Sequence, residues 1–391
     1  MKGFFTIGLL LILLIDLQSQ ERYDIQFMLD GHVRECIIVK PSTAPPVGGY
    51  PVVFMLHGTS GDGEKFYNIS GWKELGQAEN FITVFPSSLS WCFVEDGIEK
   101  HNTRWVNGNV TENPCAGPPQ DYIDDIKFLK LLAGRISDTF PVNKTQIFAC
   151  GFSNGSAMIH KMAVDAGDVF AAVAGTSAFL SPADSSKPLR RIPIWVMLGN
   201  LDDRYFSPPR TEVPFGGDTI LSYLNRPLNA AIVCQGLTQI FTKIETPITH
   251  TYKFTESASG ELSKPYIFTL VKGMTHEFPN GINSPIDGPK LFWEFFQSSV
   301  LVNIKSNNQD AFTIQIYPNP ANESMKVQFY ENNLPKEIRL QLFNSLGQLV
   351  YSKKQLSTQK LELQKSKFGT GLFILRIEGD HKVITKQIVF N

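Results

Sequence analysis

The chain has 391 residues, of which 42% are apolar, 12% aromatic and 19% charged. The apolar share supports a sizeable packed core, and the aromatic share excludes wholesale disorder, because disordered chains are poor in aromatics and rich in net charge. Lys and Arg number 36 against 37 Asp and Glu, a formal charge of −1, so no global field favours nucleic acid or an anionic membrane.

Lys2 gives a positive start, and Phe4 to Ile15 is an apolar run interrupted by Thr6 and Gly8. At about twelve residues it falls short of the roughly twenty needed to span a bilayer. Asp16, Gln18, Ser19 and Gln20 close it. Residues 1–20 therefore read as a secretory signal peptide cleaved near Ser19 to Glu21. No later stretch is long and apolar enough to span, so an exported chain without a transmembrane anchor is expected.

From Tyr23 to Val302, short apolar runs alternate with helical patterns. Pro51 to Leu56, Phe81 to Phe85, Gln146 to Cys150 and Ile192 to Leu198 are continuous apolar runs, as expected of parallel strands buried on both faces. Tyr122 to Ile136 places Ile123, Ile126, Phe128, Leu129, Leu132 and Ile136 on one helical face. Strands alternating with helices predict an α/β domain over 21–302, with an open, mostly parallel sheet.

Within it, Gly151-Phe152-Ser153-Asn154-Gly155 matches G-x-S-x-G. The pentapeptide is short, and its context gives it weight. An apolar run precedes it, and Ser156 to Ala166 has helical periodicity, so the serine falls at a strand–turn–helix junction. Such an elbow needs glycines because flanking side chains would clash with the neighbouring strand and helix. It exposes the Ser153 hydroxyl and sets the Asn154 N–H at a helix start, where it can face a developing oxyanion.

A nucleophilic serine needs a base, and the base needs an orienting carboxylate, here in the order Ser, acid, His. The strand-like Ile192 to Leu198 delivers Asp202 and Asp203; acids in open α/β sheets sit past the carboxyl ends of strands. Asp202 is the candidate acid and Asp203 the alternative. Of the later histidines, His250 lies in an alternating segment and reads as a half-exposed strand residue, and His381 reads as surface. His276, in the loop after Tyr266 to Val271, is the candidate base. The loop after Pro51 to Leu56, His57-Gly58-Thr59-Ser60-Gly61, would supply a second oxyanion donor, the Thr59 N–H, with His57 structural beneath it. His32, His101 and His160 receive no chemistry.

Trp91 and Trp105 read equally as an aromatic platform for substrate or as core. Asp124 and Asp125 read as helix-start carboxylates favoured by the dipole. Pocket shape is expected from Phe278, the Ser60 to Lys65 loop and the Pro208 to Asp218 segment. Export makes disulfides admissible: Cys92 is paired with Cys115, a Cys150–Cys234 bridge is considered, and Cys36 is left over. No Cys/His cluster has metal spacing and no dinucleotide or phosphate loop occurs, so neither a metal nor another cofactor is expected.

After Val302 the texture changes. Residues 303–313 read as a linker, and 314–391 hold short strand-like segments, including Ile338 to Phe343 and Gly371 to Ile377, which suit a small all-β sandwich. Tyr317-Pro318-Asn319-Pro320-Ala321, Phe343-Asn344-Ser345-Leu346-Gly347, Gly371-Leu372-Phe373-Ile374 and Lys386 resemble the C-terminal sorting domain of type IX secretion. That resemblance implies export across the outer membrane of a Bacteroidota-type bacterium, with the secretion machinery as partner and the domain usually removed. An accessory carbohydrate-binding sandwich is the other reading of this composition.

Leu56-His57-Gly58, Asp124 to Leu129, Gly151 to Gly155 with Met158, Phe170 to Ala174, Gly199 to Asp202 and Gly273 to Pro279 together resemble the secreted esterases of the poly(3-hydroxybutyrate) depolymerase and feruloyl esterase group, of carbohydrate-esterase family one type. The resemblance implies an α/β-hydrolase fold and a serine esterase acting on a polymeric or oligomeric ester. Two positions depart from the group's pattern: Leu198 stands for its usual histidine before Gly199, and Phe278 for a tryptophan beyond the catalytic histidine. Feruloyl or acetyl esters of plant polysaccharide lead among the substrates. Polyhydroxybutyrate follows, then amide hydrolysis of the prolyl-oligopeptidase kind, and last a non-catalytic binding role.

Overall fold

A computed structural model describes residues 20–111, 113–207, 224–260, 263–303, 314–329, 337–344, 349–356, 360–379 and 382–391. The segment up to residue 19 that reads as a signal peptide, most of the expected linker, the Pro208 to Asp218 segment and His381 lie outside the described residues. The chain divides into two compact units, Met1–Leu301 and Val302–Asn391.

The first unit is built on one sheet. Its strands are β1 (Glu21–Leu29), β2 (His32–Lys40), β3 (Tyr50–Leu56), β4 (Ile82–Pro86), β7 (Val142–Phe152), β8 (Ala172–Thr176), β9 (Ile194–Gly199), β10 (Phe241–Glu245), β11 (Thr249–Phe254) and β12 (Tyr266–Val271), and β5 (Ser90–Glu95) and β6 (Ile98–Thr103) form a separate hairpin. The order across the sheet is β1-β2-β4-β3-β7-β8-β9-β12-β11-β10. The centre, from β4 to β12, is parallel, and both margins are antiparallel. This is the α/β-hydrolase arrangement, an open and mostly parallel sheet.

The continuous apolar runs follow from burial on two sides. In β3, Val52, Phe54 and Leu56 enter the core on one face while Val53 and Met55 enter it on the other; in β7, Ile147 and Ala149 oppose Phe148 and Cys150. The first face is covered by the helices Asp125–Thr139, Asn154–Asp165 and Asn225–Cys234. The second is covered by Gly63–Ile69, Trp72–Glu79 and Gly288–Asn303, with Phe148 stacked on Phe296 at 4.7 Å. Fully burying a large apolar side chain is worth about 1.5–3 kcal/mol, so this double layer supplies the main driving force.

The same alternation explains two corrections. Cys150 and Cys234 do not pair: Cys150 is buried on one side of the sheet, while Cys234 packs on the other with its Sγ 2.8 Å from the Ser186 carbonyl oxygen. Cys36 is also free, and Cys92–Cys115 is bridged with a Cα separation of 5.6 Å. His250, expected half-exposed, is buried, because the two-residue period of β11 puts it on the same face as Tyr252 and Phe254.

The helix expected from Tyr122 starts at Asp125. Asp124 is its cap, accepting from the Ile126 and Lys127 N–H groups at 2.8 and 3.1 Å. Asp125 does something the dipole argument did not foresee. It is buried against the fully buried Arg34 of β2, with Nη2 2.6 Å from Oδ1, and its Oδ2 accepts from the Val106 N–H at 2.8 Å. The Arg34 guanidinium also lies 3.7 Å from the Phe128 ring centroid. Burial pushes the Asp125 carboxyl above its ordinary range against the pull of Arg34.

The second unit carries β13 (Ile314–Tyr317), β14 (Ser324–Phe329), β15 (Glu337–Asn344), β16 (Leu349–Leu356), β17 (Lys360–Gln364), β18 (Gly371–Gly379) and β19 (Lys382–Phe390). They form two antiparallel sheets, β13-β14-β17 and β16-β15-β18-β19, around Met325, Val327, Leu340, Leu342, Leu375, Ile377 and Ile388. Alternating burial along β15 and β18 is what one wet and one packed face requires.

Removing one partner of a buried ion pair leaves an uncompensated charge in the core. Asp125→Ala should therefore lower unfolding free energy by about 3–5 kcal/mol in urea titrations; a loss below about 1 kcal/mol would show that Arg34 finds another partner. Two further histidines, His57 and His160, lie deep in the core, and burial lowers their pKa from the ordinary 6.5 to about 4. Between those values the unfolded chain binds protons that the folded chain does not, so stability should fall as pH drops from 6.5 to 4, by on the order of 3 kcal/mol per histidine. Urea titrations at pH 7 and pH 4.5 should show a smaller acid loss for His160→Gln than for the wild type, and equal losses would exclude that contribution.

Candidate active site

The Ser153 position begins as a packing problem. β7 runs to Phe152, and the next helix starts at Asn154. Ser153 alone makes the turn, at φ 52° and ψ −121°, a conformation that costs a non-glycine residue about 1–3 kcal/mol. Two bonds hold it there: its N–H donates to the Thr176 carbonyl at 2.9 Å, and its carbonyl accepts from the Ala157 N–H at 3.1 Å. A Cβ on Gly155 would lie 2.4 Å from the Leu56 carbonyl oxygen, and one on Gly151 would lie 2.2 Å from that of Gly155. Only glycine lets strand and helix meet this closely.

The acid and histidine loops are stitched together past the ends of β9 and β12. The Leu201 N–H donates to the Met274 carbonyl at 3.1 Å, and the Gly273 N–H to Asn200 Oδ1 at 2.7 Å. A Cβ on Gly199 would lie 1.9 Å from the Met274 carbonyl oxygen. This contact places Asp202, fully buried, against His276: Nδ1 is 3.0 Å from each carboxylate oxygen. On the other side, His276 Nε2 is 3.0 Å from Ser153 Oγ. Ser153, His276 and Asp202 thus meet in hydrogen-bonding sequence across 123 and 74 residues of chain. Asp203 is exposed.

The Thr59 turn runs close against the nucleophile, since a Cβ on Gly58 would lie 3.2 Å from that of Ser153. Ser60 and Gly61 spend their N–H groups on the Thr103 and Gly58 carbonyls, at 3.0 and 3.1 Å. His57 is fully buried beneath: Nδ1–H donates to the Gly58 carbonyl at 2.7 Å, and Nε2 accepts from the Ser88 N–H at 3.0 Å. Both ring nitrogens are engaged in holding the turn.

The aromatic expectations need correction. Trp105 is fully buried, with Nε1 donating to the His57 carbonyl at 2.9 Å and its N–H to Asn154 Oδ1 at 2.6 Å. It supports the turn that follows His57 and has no exposed face. Trp91 is likewise core, packed with Val110 and Ile123. Phe278, 4% exposed, lies behind Phe66 and Phe152, with ring centroids at 5.9 and 6.4 Å. The aromatic beside the histidine is instead half-buried Phe152, its ring 5.3 Å from that of His276. The second position of G-x-S-x-G could have signalled it, because that side chain leaves the strand next to Ser153. The side chain of Asn154 was missed too: its amide grips both the N–H and the carbonyl of Trp105. Among the described residues one trio of metal-type donors, Cys92, His101 and Cys115, lies within 4.8 Å, but its two sulfurs are bonded to each other.

Residues 315–391 match the secretion system C-terminal sorting domain, so the second unit carries the export signal of a secreted or cell-surface protein. Among curated proteins, "Putative esterase NocK" of Nocardia uniformis subsp. tsuyamanensis is 24% identical over 155 residues, 39% of this chain and 40% of that relative's length. Among solved structures, the acetyl xylan esterase from Aspergillus awamori is 14% identical with a TM-score of 0.46, covering 71% of this chain and 99% of its own. A ferulic acid esterase from Anaeromyces mucronatus, solved with ferulic acid, is 14% identical with a TM-score of 0.38, covering 72% and 90%. Residues 31–267, more than half of the chain, match the family described as "Putative esterase", and to that esterase family this protein belongs.

Proposed function

We propose that the protein is an exported serine esterase that cleaves ester bonds of a polymer or polymer-derived substrate through an acyl-enzyme on Ser153. The observation that carries the reading is the relay from Asp202 through His276 to Ser153, with each step at 3.0 Å. Asp202 accepts the Nδ1–H of His276, which fixes the tautomer and leaves Nε2 free to take the serine proton. Ser153 Oγ then attacks the ester carbonyl. The oxyanion that forms is received by the Asn154 N–H at the start of its helix and by the Thr59 N–H. Collapse expels the alcohol, which takes its proton from His276, and water repeats the sequence on the acyl-enzyme.

Feruloyl or acetyl esters of plant polysaccharide are the leading substrates. The group resemblance supports them, and the Phe152 ring beside His276 offers a flat apolar wall for a planar acyl group. Polyhydroxybutyrate is the comparator with the same chemistry.

Methyl ferulate and acetylated xylan should be hydrolysed by the full chain. Ser153→Ala should remove at least about 10⁴-fold of kcat, and Asp202→Asn about 10³- to 10⁴-fold with little change in KM. Steady-state kinetics checks both, and activity surviving in Ser153→Ala would end the mechanism. Turnover of polyhydroxybutyrate in preference to both esters would keep the mechanism and move the substrate class.

A further inference from the structure

Two arginines, one next to Trp105 and one two residues past Asp202, converge on one glutamate. Glu95, at the end of β5, has its Oε2 2.7 Å from Lys100 Nζ. Its Oε1 lies 3.6 Å from Arg204 Nη1 and 3.9 Å from Arg104 Nη1. Three cations therefore surround one carboxylate, an excess of two positive charges. The two guanidinium groups stand beyond hydrogen-bonding distance of Glu95, so they neutralise it without spending their donors on it. Arg104 is deeply placed, its side chain 12% exposed and its guanidinium 4.1 Å from the Phe93 ring centroid, and its buried Nε has no partner. Burial pushes Glu95 upward in pKa, but Lys100, Arg104 and Arg204 outweigh that and keep it ionised.

Both arginines belong to segments that carry the site. Arg104 is flanked by Thr103, whose carbonyl holds the Ser60 N–H, and by Trp105, whose N–H is held by Asn154. Arg204 lies two residues past Asp202, and its N–H donates to Asp202 Oδ1 at 3.1 Å. The oxyanion side and the acid side of the cleft each send one guanidinium to the same carboxylate. Guanidinium pairs are suited to bidentate capture of a carboxylate.

From this geometry, and resting on the serine esterase reading, we propose that Arg104 and Arg204 form an anion subsite whose charge Glu95 balances at rest without occupying its donors, and that the ester substrate carries a carboxylate near its scissile bond. The carboxylate could belong to the alcohol side, as in a uronic-acid polysaccharide, or to the acyl side.

The test uses the full chain and two matched ester pairs. 4-Acetoxybenzoate against its methyl ester probes the alcohol side, and 4-nitrophenyl hydrogen succinate against 4-nitrophenyl butyrate probes the acyl side. One anionic member should gain in kcat/KM relative to its neutral partner, with the preference shrinking at high salt. Half-exposed Arg204 tolerates replacement, so Arg204→Gln should cut that preference about tenfold through KM, and Glu95→Gln should raise it by removing the balancing negative charge. A preference that is the same in wild type, Arg204→Gln and Glu95→Gln would overturn the subsite. If no ester is turned over, the esterase reading fails separately, and calorimetric titration with trigalacturonate still decides the subsite. Heat of binding lost in Arg204→Gln supports it; no heat, or equal heat in both proteins, overturns it.

Discussion

The site depends on one close approach, that of the β7–helix junction to the end of β3. Ser153 is held at a positive φ because the helix after it must begin at once, and the helix can begin there only because Gly155 passes under the Leu56 and His57 carbonyls. That crowding fixes the direction of the hydroxyl and aims the first helical N–H groups into the cleft. The histidine and acid loops use the same device, with Gly199 passing the Met274 carbonyl. Strain and contact are local, and the surrounding double-sided core opposes the backbone's relaxation.

A second set of interactions holds the loop that bonds to Asn154. The loop of Trp105 and Val106 has no regular structure, yet it is tied at two points: Asn154 grips Trp105, and Asp125 grips Val106 while paired with Arg34. A buried ion pair is a poor source of stability in itself. Here its geometry joins β2, a helix start and an active-site loop, so we assign it to positioning. Trp105 then acts from below, closing the His57 carbonyl and filling the space under the oxyanion turn. The Trp105 segment and the Asp202 loop also carry Arg104 and Arg204, which both approach Glu95.

How much was legible in the residues can be judged from particular elements. The parallel core was legible because strands buried on both faces must be apolar at every position, as in Tyr50–Leu56. The elbow was legible because glycine requirements are local, and the order Ser, acid, His follows from where the strands end. The buried role of Asp125 was not, because its partner Arg34 lies 91 residues away and a helix-start aspartate looks the same whether wet or buried. His250 was misjudged because alternation shows that two faces differ without showing which one is packed.

The sequence by itself determined the fold class, the division between an α/β unit and a β-rich sorting unit, and the segments that bring Ser153 and His276 together with the loop after β9. Each of these is written in periodicity, glycine spacing or strand-end placement, which are local constraints on the chain. Tertiary structure alone decided that Asp202 rather than Asp203 faces His276, that Trp105 and Phe278 are core while Phe152 borders the site, and that Arg104 and Arg204 share Glu95. Those outcomes depend on which side chains from distant segments compete for one small volume, and a linear pattern does not encode that competition.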